Sequence, residues 1–218
     1  CNAGSANTER YAHQVADIYL GDALRPEPTP SAVTVPAAAL DGAAGMYRHV
    51  KRGVAMVVER EGAGLKVQNG PALIAVSATR FRFGTSVAEI DAAADGRAAR
   101  IRIVPASGGV DIYERVEPAT PTLQQLQDLE GAYRSGEAEA TLLVAVEDGR
   151  LVIHRRLDRA LTLEPLYADA FDAGIALVRF IRDGRGLITH MSVGGGRAWD
   201  VRFERVPVPP VGRPATRK

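Results

Sequence analysis

Seven serines are the residues of this chain that could serve as nucleophiles in acyl transfer. A serine hydroxyl becomes a useful nucleophile when a base removes its proton, and a lysine three positions farther along the chain is one such base. The chain has three lysines, and none follows a serine at that spacing. We therefore expect no activated serine and no hydrolytic activity from this chain. The serines are Ser5, Ser31, Ser77, Ser86, Ser107, Ser135 and Ser192.

Histidine and cysteine, the usual ligands of structural zinc, are few and scattered. Zinc sites use pairs of such residues a few positions apart, and the chain has no such pairs. We expect no metal ion and no other cofactor. With a single cysteine, no disulfide can form within the chain. The residues concerned are Cys1, His13, His49, His154 and His190.

Three local clusters admit more than one interpretation. Gly194–Gly196 lies between two predicted strands and not before a helix, which favours a hairpin turn over a phosphate-binding loop. The basic run Arg155–Arg159 is either an anion site or the solvated tip of a hairpin. Trp199 is either a core residue or part of the lining of a ligand cavity, because an eight-stranded barrel can hold one small ligand.

The composition is that of an ordinary globular protein. Hydrophobic residues make up 46% of the chain and charged residues 24%, and the net charge is +1. The basic residues are scattered among nearly as many acidic ones, which argues against a nucleic-acid-binding surface. No apolar stretch approaches the length of about 18 residues that would indicate a membrane span, and no signal peptide is recognisable.

The chain contains one sequence pattern twice. Gly45–Arg48 returns 86 positions later as Gly131–Arg134, and the same offset carries Leu65 onto Leu151. Self-similarity at this long period indicates a duplicated small domain. Farther along, the offset drifts to 88 and then to 90, as loops of different length would produce. The later matches are Asp95–Arg97 with Asp183–Arg185, and Tyr113–Val116 with Phe203–Val206.

Each copy is predicted to be an antiparallel barrel. Short segments of alternating hydrophobicity follow one another, separated by hairpin turn signals, and closing into a barrel removes the exposed edges of such a meander. We therefore predict a mainly β fold with two tandem lipocalin-like, eight-stranded, up-and-down barrels after one N-terminal α-helix. In the second copy the predicted strands are Glu130–Ser135, Ala140–Glu147, Arg150–His154, Ala160–Leu166, Ala170–Phe171, Ala176–Arg182, Gly186–Val193 and Ala198–Arg205.

The N-terminal helix is predicted over Thr8–Leu20. Its apolar residues recur at helical spacing, and Gly21 is a stop signal. The proline-rich run 25–36 then reads as a stiff linker. We expect residues 1–36 to be the end of another domain plus this linker, residues 37–117 the first barrel, and residues 118–218 the second barrel with its tail. Residues 117–122 read as the linker between the barrels.

The N-terminal segment also carries a family resemblance. Cys1–Asn7, followed by Tyr11 and Val15–Leu20, resembles the last core strand and terminal helix of serine hydrolases of the class C β-lactamase and penicillin-binding-protein superfamily. The two copies resemble the β-barrel domains that follow the catalytic domain in D-aminopeptidases and esterase-like relatives. In the second copy, the resemblance is carried by Leu129–Arg134, Leu163–Leu166 and Asp200–Arg205.

This resemblance implies a role as a non-catalytic accessory region. The parent protein would be a periplasmic or secreted enzyme that cleaves peptide, amide or ester bonds through a serine acyl-enzyme. The barrels would pack on its catalytic domain and could restrict the active-site cleft with a loop. The family's catalytic elements, Ser-x-x-Lys, Tyr-x-Asn and Lys-Thr-Gly or His-x-Gly, do not occur in this chain. No catalytic, cofactor-binding or metal-binding residue can therefore be assigned.

Two other hypotheses stay open. One barrel could be a lipocalin-like module that binds a small apolar ligand, and the filling of the barrel interiors discriminates this from a structural role. Alternatively, Cys1 could be the lipidated first residue of an envelope protein. In either case Tyr47 with Arg48, and Tyr133 with Arg134, are expected to close the first strand of each barrel. The tyrosine would pack inward, and the arginine would pair across the seam or face solvent.

Overall fold

A computed structural model describes residues 8–21, 33–93, 95–105, 108–156, 159–196 and 198–207. The chain forms two compact units, with the boundary between residues 32 and 33. The second unit holds two closed barrels, each made of eight antiparallel strands that follow one another in chain order. The predicted fold class is thereby confirmed.

The first unit contains helix α1, which spans Thr8–Leu20 as predicted. The residues of its apolar stripe are exposed: Tyr11 by 58%, Ile18 by 80% and Tyr19 by 83%. Among the helices in the described ranges, none combines the length and the apolar character that crossing a membrane requires.

The first barrel follows a short helix, α2 (Ala37–Ala43), and runs from residue 45 to residue 116. Its strands alternate between the packed interior and the outside, as residues on one face of a pleated strand must. They are β1 (Gly45–His49), β2 (Ala55–Glu61), β3 (Gly64–Val67), β4 (Ala72–Ala75), β5 (Arg80–Phe83), β6 (Ser86–Ala92), β7 (Ala98–Val104) and β8 (Asp111–Val116).

The second barrel follows the equivalent short helix, α3 (Leu123–Asp128), and runs from residue 131 to residue 206. All eight of its predicted strands are present, with ends shifted by at most two residues. They are β9 (Gly131–Ser135), β10 (Ala140–Glu147), β11 (Arg150–Arg156), β12 (Arg159–Tyr167), β13 (Ala170–Asp172), β14 (Leu177–Arg182), β15 (Ile188–Gly195) and β16 (Ala198–Val206).

The two barrels share their strand register. Tyr47 lies opposite Met56 on one side and Arg115 on the other, and Tyr133 lies in the same way between Leu142 and Arg205. The turns correspond as well. The backbone N–H of Arg97 donates to the carboxylate of Asp95, and that of Arg185 donates to the carboxylate of Asp183. The sequence repeat is therefore a repeat of whole barrels.

Helices α2 and α3 were not expected from the sequence pattern. Both are short, and each adds buried residues to the core of the barrel that follows it: Leu40 and Ala43 from α2, and Leu126 from α3. Helix α3 begins at a capping box, in which the side chain of Thr122 accepts from the backbone of Gln125 and the reverse bond is also present. Such reciprocal bonds satisfy two N–H groups that a helix end leaves without partners.

Segment 117–122, expected as a linker, is attached to the second barrel. Pro118 forms an isolated bridge with Tyr167 at the end of β12, and the backbone N–H of Ala119 donates to the carbonyl of Leu166. The connection between the barrels is therefore fixed on its C-terminal side.

Apolar side chains fill the interior of both barrels. In the second barrel Phe180 forms edge-to-face contacts with Tyr133 and Phe171, at ring-centroid distances of 5.7 and 5.8 Å. The first barrel is packed around Tyr47 and Phe81, which are almost fully buried. Tight interdigitation of this kind is the normal state of a protein core.

Candidate functional site

The turn between β1 and β2, residues 50–54, is held by a buried histidine. Nδ1 of His49 accepts hydrogen bonds from the backbone N–H groups of Lys51 and Arg52, at 3.1 and 3.0 Å. The ring hydrogen of the neutral imidazole therefore lies on Nε2, which donates to Oδ1 of Asp111 at 3.0 Å. This bond, with a smaller contribution from Arg52, holds the pKa of Asp111 below its ordinary value.

This turn contacts the second barrel. The hydroxyl of Tyr167 donates a hydrogen bond of 2.5 Å to the carbonyl of Gly53, and the guanidinium carbon of Arg48 lies 5.8 Å from the centre of the Tyr167 ring. Gly53 has φ +73°, and a Cβ at this position would lie 2.6 Å from Cδ of Arg179. Only glycine meets both requirements without strain.

A cleft of about 300 Å³ lies beside this contact. Both barrels line it, so it exists only in the tandem arrangement. From the first barrel come Lys51, Arg52 and Val54; from the second come Leu177, Arg179, Ser192, Gly194, Gly195, Gly196, Ala198, Trp199 and Asp200.

Two of the three cations in the cleft are paired with carboxylates. Nη2 of Arg179 donates to Oγ of Ser192 and to Oδ1 of Asp200, both at 3.0 Å, and Ser192 also donates to Asp200. Arg52 pairs with Asp111 at 3.2 Å. Lys51 forms no ion pair with the part of the chain that the structure describes. Among the described residues that line the cleft, Lys51 is thus the cation without a paired carboxylate.

Trp199 lies on the outside of the second barrel, with 70% of its surface exposed. Of the two alternatives left open by the sequence, the structure excludes the barrel core; Trp199 lines a cavity, and that cavity is the cleft between the barrels. Strict alternation along β16 would place it on the inner face with Phe203. A β-bulge adds one residue to β16 between the pairs Val193–Val201 and Gly195–Ala198, and Asp200 in this bulge has φ +52°. Such an extra residue reverses the alternation.

The indole ring of Trp199 is accompanied by a cation. The guanidinium carbon of Arg52 lies 5.9 Å from the ring centre, within the range of a cation–π contact. Because Asp111 also binds Arg52, the guanidinium is held between a carboxylate and an aromatic ring. The cleft therefore combines the exposed ring of Trp199, the guanidinium of Arg52 held in place by Asp111, and the ammonium group of Lys51.

The repeated tyrosines have the structural role that the sequence predicted. Tyr47 and Tyr133 are fully buried and donate to the carbonyls four residues earlier, Ala43 at 2.6 Å and Leu129 at 2.8 Å. Burial raises the pKa of each to about 12, although nearby arginines act in the opposite direction. Arg48 pairs across the seam with Glu114 at 3.8 Å, whereas Arg134 is exposed.

The other described residues to which the sequence drew attention do not come together in one site. His154 pairs with Glu147 at 2.7 Å on the second barrel, and His190 contacts Thr189. In the described part of the chain, no group of three or more His, Cys, Asp or Glu side chains could hold a metal ion. Gly194–Gly196 belongs to the hairpin between β15 and β16, as predicted. Cys1 and the side chains of His13 and of the Arg155–Arg159 run lie outside what the structure describes.

No sequence pattern indicates that Arg52, Arg179, Ser192 and Asp200 belong to one site. Arg52 belongs to the first barrel, and the other three lie on the consecutive strands β14, β15 and β16 of the second barrel. No protein-family model matches the chain, and no curated protein matches it.

Proposed function

We propose that the tandem barrels are a non-catalytic accessory module of a serine hydrolase resembling class C β-lactamases. In this role they pack on a catalytic domain and restrict its active-site cleft. The observation that carries the proposal is that two filled barrels are fixed against each other. A module that limits access to a neighbouring site must be rigid, and filled interiors with a defined contact between the barrels supply that rigidity.

The contact between the barrels supports this proposal. The hydrogen bond from Tyr167 to Gly53 is buried, and Arg48 lies over the same tyrosine ring. The linker segment is fixed to the second barrel through the Ala119 bond to Leu166. Several independent contacts therefore set the orientation of one barrel relative to the other.

The packing of the interiors favours the accessory role over storage of an apolar ligand inside a barrel. Ligand-carrying barrels leave space in the centre. Here the equivalent centres hold Tyr47 and Phe81 in the first barrel, and Tyr133, Phe171 and Phe180 in the second.

The proposal is tested first on the gene. The reading frame upstream of the codon for Cys1 should encode Ser-x-x-Lys and Tyr-x-Asn motifs of a catalytic domain. A frame that encodes neither motif contradicts the proposal.

The second test uses acylating probes on the purified chain. A fluorescent penicillin and a fluorophosphonate should label the product of the full reading frame, and this chain should stay unlabelled. Ser192 is the residue to examine if labelling occurs, because it is buried beside Asp200 and Arg179. Labelling that Ser192→Ala abolishes would show that the chain has its own nucleophile.

A further inference from the structure

The cleft between the barrels has two features that a purely structural role does not explain. The chain's one tryptophan, Trp199, is largely exposed there, although tryptophan is on average well buried. Lys51 contributes a charge on the wall supplied by the first barrel. An accessible aromatic side chain beside an uncompensated charge is typical of a recognition site.

The charges in the cleft favour an anion. Asp200 is the carboxylate that lines the cleft, and it is already engaged by Arg179 and Ser192. Asp111 engages Arg52 in the same way. The positive charge of Lys51 therefore remains available to a ligand.

The size and the lining of the site favour a small group with a flat ring. A volume of about 300 Å³ lies at the lower end of the range for small-molecule pockets. Arg52 is already fixed near the Trp199 ring, so the indole is oriented before a ligand arrives, and a flat ring can stack on its exposed surface.

We propose that this cleft binds an aromatic monocarboxylate, with the ring stacked on Trp199 and the carboxylate paired with Lys51. This binding activity lies outside the accessory role and does not depend on a catalytic partner. Failure of the ligand test would leave the accessory role unaffected, and an unrelated upstream gene would leave the ligand site unaffected.

Because Trp199 is the only tryptophan in the chain, intrinsic fluorescence reports on this site alone. The full chain is titrated with phenylacetate, with excitation at the red edge of indole absorption where tyrosine does not absorb. Phenylacetate should change the emission in a saturable way. Its uncharged analogue 2-phenylethanol should bind about two- to fivefold more weakly, and the anion butyrate, which has no ring to stack, should bind about two- to tenfold more weakly.

Two lysine variants form a matched pair. Lys51→Gln should weaken phenylacetate binding by about two- to fivefold, the range expected for an exposed ion pair. Lys66→Gln should leave it unchanged, because Lys66 pairs with Glu61 outside the cleft. Added salt should weaken binding to the wild type more than to Lys51→Gln.

A third variant tests the ring. Trp199→Ala removes an exposed side chain and should leave the fold intact, and ligand-observed NMR then replaces fluorescence as the measurement. Saturation transfer to phenylacetate should be lost in this variant. Non-saturating emission changes, equal binding of 2-phenylethanol, equal affinity of the two lysine variants, or retained transfer in Trp199→Ala would each overturn the proposal.

Discussion

The guanidinium carbon of Arg115 lies 4.9 Å from the centre of the Tyr47 ring, and its Nη2 donates a hydrogen bond of 2.7 Å to the Tyr47 hydroxyl. In the second barrel the equivalent arginine, Arg205, lies 6.0 Å from the Tyr133 ring and donates to the carbonyl of Glu130 at 2.6 Å. The same pair of residues thus closes both barrels, but the contact is closer in the first.

The first prediction compares the two tyrosines. Tyr47→Phe removes the bond to Ala43 and the acceptor of Arg115, whereas Tyr133→Phe removes the bond to Leu129. We expect Tyr47→Phe to lower the free energy of unfolding by about 2 kcal/mol and Tyr133→Phe by about 1 kcal/mol. Urea denaturation followed by circular dichroism measures both. Equal losses, or a larger loss in Tyr133→Phe, would contradict this explanation.

The second prediction concerns alkaline pH. Tyr47 and Tyr133 have a pKa of about 12 in the folded protein, against an ordinary value of 10.0. Since the folded state holds these protons more tightly, their contribution to stability is complete below pH 10 and is lost as pH rises toward 12. Each shift corresponds to about 2–3 kcal/mol. Denaturation at a series of pH values should show this loss, and a double Tyr→Phe variant should show much less of it.

The third prediction concerns Gly53 in the contact between the barrels. Gly53→Ala places a Cβ against Arg179 in a backbone conformation with φ +73°, while Gly62→Ala has a similar φ of +60° and open space around it. We expect Gly62→Ala to cost about 1–2 kcal/mol, and Gly53→Ala to cost about 1–3 kcal/mol more from overpacking. Thermal unfolding of the two variants gives the difference. Similar melting temperatures would mean that Arg179 moves aside freely.

The fourth prediction separates the two functions of the His49 ring. His49→Asn keeps an acceptor near the position of Nδ1, whereas His49→Gln keeps a donor near the position of Nε2. If the two backbone bonds at Nδ1 hold the turn, the amide hydrogens of Lys51 and Arg52 should exchange with solvent faster in His49→Gln than in His49→Asn. Hydrogen exchange measured by NMR decides between them. Faster exchange in His49→Asn would assign the holding role to the Asp111 bond.

The fifth prediction concerns the N-terminal unit. Deletion of residues 1–24 removes helix α1, whose apolar stripe is exposed, and the barrels belong to the other compact unit. The melting temperature of the barrels should therefore change little. A large loss of cooperative unfolding would show that the helix is part of the barrel fold.

Local periodicity was sufficient to predict both barrels. Alternating hydrophobicity and turn residues locate the strands reliably when each strand pairs with its neighbour in the sequence. The internal repeat shows the same pattern a second time and so supports the prediction independently. The capping box at Thr122 and Gln125 is also visible in the sequence, but the six residues of helix α3 that follow it are too few for a helical period to stand out. The burial of Leu126 in this helix follows from contacts with the second barrel, which no local sequence pattern reveals.

The candidate site could not be predicted in the same way. The orientation of Trp199 depends on one extra residue in β16. Asp200 has a left-handed conformation there, which aspartate adopts more often than most residue types, but an aspartate in a strand does not by itself predict a bulge. The neighbourhood of Arg52 and Trp199 depends on the packing of one barrel on the other. The first determinant is a local irregularity that the alternating pattern does not mark, and the second acts between residues that are far apart in the sequence.

The closed, meandering topology also bears on how each barrel folds. Seven of its eight strand pairings join neighbours in the sequence, and one joins the first strand to the last. Closing that long loop costs conformational entropy before any contact rewards it. The pairing of the first strand with the last, Tyr47 with Arg115 and Tyr133 with Arg205, is therefore expected to form late. Substitutions at these residues should mainly accelerate unfolding and leave the folding rate nearly unchanged.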